Sequence, residues 1–154
     1  MGTVAHVHVA TDAEAPMAAR ETVRAVAGEG LEGDRYFADS GSFSEGSRPA
    51  ADLTLVGAAV LDRVAERYDV DLAPGVHRRN VTVRGVAVDD HVGRRLRLGE
   101  AVVRATSRMT PCTYLERELA ARGVADPSVP RGGVRCRIER GGEIAVGDDA
   151  TVIR

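Results

Sequence analysis

Among the residues able to do chemistry, Cys112 has the most suggestive setting. It follows Thr106-Ser107-Arg108-Met109-Thr110-Pro111 and precedes Thr113-Tyr114-Leu115-Glu116-Arg117. This run reads as the end of a strand, a polar turn and the start of a helix. Pro111 suits the first helical turn, where a missing N–H costs nothing. A cysteine placed there meets the unpaired N–H groups and positive dipole end of the helix. With Arg108 nearby, such a setting lowers a thiol pKa and favours thiolate, the form that attacks electrophiles or binds soft metals. A structural cysteine, packing as a small apolar residue, is the competing reading of the same stretch. The second cysteine is clearer. Strict alternation in Val134-Arg135-Cys136-Arg137-Ile138-Glu139 puts Cys136 on one buried face with Val134 and Ile138, as a structural residue.

Other chemistry-bearing groups cluster in loops. Val76-His77-Arg78-Arg79-Asn80 places strong donors immediately before the strand Val81-Thr82-Val83. Arginine forks suit planar recognition of phosphate, and an asparagine amide pairs with a heterocycle edge. A solvated basic turn is the alternative. Gly28-Glu29-Gly30-Leu31-Glu32-Gly33-Asp34-Arg35-Tyr36 has three glycines that permit a tight binding loop, without the order or following helix of a dinucleotide fingerprint. Taken alone it reads as a turn followed by an Asp34–Arg35 surface pair. Residues 38–50, rich in serine and glycine and containing Arg48, read as a long loop. His6 and His8 share one face of an early strand, a spacing some metal sites use, although a solvated or barrel-lining pair is the simpler reading.

Composition excludes several classes. A chain of 154 residues is most simply one domain, spanning 1–154. Its net charge of −2 gives no reason to expect general nucleic-acid or membrane affinity. All 21 basic residues are arginine, so no internal lysine exists for a covalent pyridoxal phosphate site. Two cysteines without a CxxC pair make neither a disulfide framework nor a cysteine-rich zinc site. No signal-peptide pattern or membrane-length apolar run is present, so a cytoplasmic location is expected.

The elements that must position these groups are mostly strands. Val4 to Ala10, Glu21 to Ala27, Asp52 to Val56, Val81 to Val83, Arg95 to Leu98 and Ala101 to Thr106 read as strands. Val134 to Glu139, Ile144 to Val146 and Thr151 to Ile153 continue the series. Helical spacing of Leu61, Val64, Ala65 and Tyr68 predicts an amphipathic helix, with Asp62, Arg63, Glu66 and Arg67 facing away. A second short helix is expected over Glu116 to Ala121, ended by Gly123. Many short strands joined by glycine turns indicate a mainly β fold, a barrel or sandwich with few short helices.

In this order, the landmarks resemble the MOSC family, named for the C-terminal domain of molybdenum cofactor sulfurases. The matching pieces are Gly30 to Tyr36, Arg48 ahead of Asp52 to Val56, Arg78-Arg79-Asn80-Val81-Thr82-Val83-Arg84-Gly85-Val86, and Gly93 to Gly99. Thr110-Pro111-Cys112, Gly132-Gly133-Val134 and Gly147-Asp148 complete them. Each piece is weak, but the collinear set spans nearly the whole chain. The resemblance implies a stand-alone MOSC protein with a β-barrel like the β-domain of pyruvate kinase. It implies a cysteine, here Cys112, that ligates molybdenum of the pterin cofactor or carries sulfane sulfur. Arg78 and Asn80 match the family's Arg-x-Asn positions that help hold the cofactor. Arg35, Arg48, Arg79 and Thr110 follow from their neighbourhood in the pattern, and His77 from adjacency. Relatives that work as enzymes reduce N-hydroxylated small molecules. The resemblance therefore implies a molybdenum-dependent oxidoreductase component, with electrons arriving from a separate reductase. A sulfur carrier loaded by a cysteine desulfurase, or a non-catalytic cofactor-binding module, stays open beside it.

Overall fold

The computed structural model describes residues 2–10, 18–34, 51–59, 62, 66, 79–108 and 133–153. Their alternating apolar residues form eleven strands: β1 (Gly2–Val9), β2 (Ala18–Arg20), β3 (Thr22–Val26), β4 (Gly30–Leu31), β5 (Leu53–Gly57) and β6 (Val81–Arg84). These are followed by β7 (Arg95–Leu98), β8 (Ala101–Arg108), β9 (Val134–Arg140), β10 (Gly142–Ala145) and β11 (Asp149–Ile153). Seven of them close into a barrel in the order β1-β11-β7-β8-β9-β5-β6, with β6 pairing back onto β1. The expected mainly β barrel is therefore the fold. β2 adds to the free end of β1's edge, and β10, β3 and β4 form a separate three-stranded sheet.

Each expected strand is present with bounds shifted by a residue or two. β2 is an addition, lying between the strands expected over Val4 to Ala10 and Glu21 to Ala27. Its three residues are all exposed, so no apolar alternation marked it. β10 ends at Ala145, and Val146 is exposed in the following turn. Ala58, Ala59, Asp62 and Glu66 are helical, and Asp62 and Glu66 are exposed, as the amphipathic pattern requires. This helical stretch lies between β5 and β6, which pair in parallel; every other strand pair is antiparallel. A parallel pair needs a crossover connection, which a two-residue turn cannot supply. The expected helix over Glu116 to Ala121 lies outside the described residues.

The barrel interior is filled by valine, leucine, alanine and isoleucine side chains from every barrel strand, with Cys136 among them. Small branched residues suit a narrow barrel, where alternate positions must fit a tapering space. Cys136 is fully buried, and burial followed by the nearby Asp52 carboxylate pushes its thiol well above the ordinary cysteine range. A neutral, inaccessible thiol is the structural cysteine that the alternation foretold. β5 is buried along its whole length, on its outer as well as its inner face. Among the described residues, no helix is long and apolar enough to cross a membrane.

Candidate functional site

Strand register brings the ends of several elements level with Leu55, in the middle of β5. Val7 of β1 faces Val81 of β6, Leu55 of β5 faces both Val81 and Val134, and Arg108 of β8 faces Val134 of β9. Because β5 runs parallel to β6 and antiparallel to β9, the paired ends of β1 and β6 meet this junction from one side, and those of β8 and β9 from the other. Arg79, Arg108 and Gly133, which border undescribed segments carrying most candidate residues, lie beside it, and Asp34 is tied to it through Asn80.

At this junction Asn80 is buried and hydrogen-bonded throughout. Its Nδ2 donates to the His8 carbonyl (3.1 Å) and to Asp34 Oδ1 (3.3 Å). Its Oδ1 accepts from the Thr54 backbone N–H (3.0 Å) and from Thr54 Oγ1 (3.2 Å). The Asn80 N–H donates to Thr54 Oγ1 (2.9 Å), and the His8 N–H donates to the Asn80 carbonyl. One amide thereby ties together β1, β5, β6 and the turn after β4. An asparagine amide has two donors and two acceptor sites, and all four are taken inside the fold. Asp34 is likewise buried, contrary to the surface pair expected from the turn alone, and its Oδ1 also accepts from the Ala10 N–H (3.0 Å).

Arg79 is buried too, at 6% exposure, and its side chain passes against Gly133. A Cβ on Gly133 would stand 3.0 Å from Arg79 Nε and 2.5 Å from the Leu55 carbonyl oxygen. The glycine's φ of +107° is also one that other residues rarely adopt. Gly133 thus makes room for a guanidinium beside Leu55. Asp89, in a 3-10 turn over Val88–His91, holds the neighbouring strand ends: its Oδ1 accepts from the Gly133 N–H (2.9 Å) and its carbonyl from Arg108 Nε (3.0 Å).

Of the residues singled out from sequence, Arg79 and Asn80 are therefore together at this junction. Cys112, Arg35, Arg48, His77, Arg78 and Thr110 lie outside the described residues. His6 is exposed and His8 buried, with ring centroids 6.0 Å apart. No group of three or more metal-ligating side chains occurs among the described residues. Burial and then the charge of His6 hold the His8 imidazole below the ordinary histidine range. Asp34, Thr54 and Asp89 are positioning residues that sequence reasoning passed over. Thr54 carried a faint signal, as a hydroxyl inside the apolar run Leu53-Thr54-Leu55-Val56.

The MOSC domain model matches residues 32–151. The chain belongs to the MOSC family. Among solved structures, this MOSC chain is similar to the YuaD protein of Bacillus subtilis, with a TM-score of 0.75 and 19% identity, over 98% of this chain and 94% of that one. It is also similar to YiiM of Geobacillus stearothermophilus (TM-score 0.66, 14% identity, 100% and 76% covered) and YiiM of Escherichia coli (TM-score 0.62, 15% identity, 100% and 70% covered). Likeness at these identities concerns the fold. No curated protein matches the sequence significantly.

Proposed function

We propose that this MOSC protein binds the molybdenum cofactor beside Leu55 of β5, where the starts of β6 and β9 come together, and works as the catalytic component of a reductase of N-hydroxylated compounds. The observation that carries the reading is the buried Arg79 guanidinium seated against Gly133 at this junction. A pterin with a terminal phosphate needs such planar, charged donors, and the donor types present suit it. Arg79 would hold the anionic part of the cofactor, with Arg78, Arg35 and Arg48 as further donors and Thr110 and His77 as nearby polar groups. Cys112 would supply the soft thiolate ligand to molybdenum. When bound, the cofactor supplies two-electron redox chemistry that no side chain of this protein offers.

Asn80 contributes differently in this reading. With its amide committed to His8, Asp34 and Thr54, it fixes the backbone from which Arg79 projects. It is a positioning residue. Electrons would come from a separate reductase acting in the same cytoplasmic compartment.

Anaerobic purification after co-expression with cofactor biosynthesis should yield about one molybdenum per chain, lost in Cys112→Ala and reduced in Arg79→Gln. Metal-free protein from all three preparations would refute the assignment. Intact mass after incubation with a cysteine desulfurase separates the sulfur-carrier alternative, which requires one added sulfur at Cys112 and no metal.

A further inference from the structure

The outer face of β7, β8 and β9 carries an arginine lattice that the candidate site around Arg79 and Asn80 does not use. Arg95 stands directly opposite Arg104, and Arg104 directly opposite Arg137, across three adjacent strands. A second row follows, in which Arg97 faces Val102 and Val102 faces Arg140. Like charges directly opposite on neighbouring strands destabilise a sheet, so this arrangement costs the isolated fold something. Among the described residues, two carboxylates pair with it. Glu139 is shared between Arg104 Nε (2.9 Å) and Arg95 Nε (3.8 Å), and buried Asp52 takes Arg137 Nη1 (3.1 Å). The side chains of Arg97 and Arg140 make no ion pair or hydrogen bond among the described residues, and both residues are exposed. Five arginines against two carboxylates leave a strong local excess of positive charge on a chain whose net charge is −2.

We infer that this sheet face docks an acidic protein partner, whose carboxylates meet the two arginine rows. Guanidinium forks match carboxylates in bidentate geometry, and a flat array of them gives charge complementarity and fast, salt-sensitive association. The two rows contain no aromatic side chain on which bases could stack, which disfavours single-stranded nucleic acid. Their outward apolar residue, Val102, is 9% exposed and offers no greasy anchor, so the partner is held by charge. This inference stands independently of the proposed cofactor.

The test uses a fluorescein-labelled polyglutamate peptide of about 20 residues as the acidic probe, followed by anisotropy at low salt. Wild-type protein should bind it, with affinity falling as salt rises. The double variant R97E/R140E should weaken binding at least about tenfold, a loss of roughly 1.4 kcal/mol. Charge reversal at exposed Arg20, on β2, which pairs with β1 and not with these three strands, should leave it unchanged. Because the Arg97 and Arg140 side chains have no intramolecular partner among the described residues and reversal relieves like-charge repulsion, the variant should unfold at or above the wild-type temperature. Absence of wild-type binding, equal binding by R97E/R140E, or tighter binding of a single-stranded DNA of the same length would each overturn the inference.

Discussion

Truncating Asn80 would strip four hydrogen bonds from the interior at once. The Asn80→Ala variant leaves the Thr54 N–H and hydroxyl, the His8 carbonyl and one Asp34 oxygen short of a buried partner. Groups orphaned in this way cost about 1–3 kcal/mol each before relaxation, and a net loss of about 2–4 kcal/mol is expected for the network. Urea denaturation of the metal-free protein measures it. A side chain whose work was only to touch a ligand would leave that stability untouched. A second residue-scale expectation concerns pH. The folded His8 imidazole binds a proton less readily than the unfolded one. Its contribution is fully present above the unfolded value of about 6.5 and is lost as pH falls below it. Stability should therefore decline from pH 7 to 5, and His8→Gln should flatten that slope. At this scale the sequence displayed side-chain types but not their satisfaction. Asn80 and Arg79 stood out as donors, yet only tertiary contact shows that the first is consumed inside the fold. Asp34 looked like half of a surface pair because nothing local reveals that Ala10 and Asn80 close over it.

Among the elements, the start of β9 is tightly constrained where it meets β5 and Arg79. Gly133→Ala introduces a methyl group 2.5 Å from the Leu55 carbonyl and 3.0 Å from Arg79, at a left-handed φ. The cost should exceed about 2 kcal/mol, combining backbone strain with a clash against main chain. Gly93→Ala is the matched control. It has a similar φ of +88° but nothing within 4 Å of the new methyl, so it should lose only about 1 kcal/mol. Thermal unfolding of the pair isolates the steric part, and equal losses would show that the Arg79–Leu55 crowding carries no weight. Antiparallel strands were the legible elements. Arg95-Leu96-Arg97-Leu98 alternates in sequence and in burial alike, and Gly99-Glu100 turns it into β8. β5 was legible as a strand but not as the parallel partner of β6, because that pairing is settled by the helical crossover between them. β4 was hidden in a glycine run whose composition spoke only of turns.

For the molecule as a whole, local periodicity left open a choice between sandwich and barrel, and the chain's two extremes decide it. Gly2 and Thr3 of β1 pair with Ala150 and Asp149 of β11, while β11 also pairs along β7 through Ala150, Thr151, Val152 and Ile153. No window of sequence can report a contact between positions so far apart. Closure removes the open edges that a seven-stranded sheet would otherwise present to other chains. Deleting residues 149–153 should accordingly do more than remove five residues. It exposes the edges of β7 and β1 together and uncovers the interior beside Ala150, which is fully buried. The shortened protein should lose its cooperative urea transition and elute as higher oligomers. Ala19→Pro in β2, which only flanks the closed circle, should keep both the transition and the wild-type elution volume. If the shortened chain instead unfolds cooperatively at its wild-type size, the remaining sheet is stable while open, and β11 decorates the barrel rather than closing it.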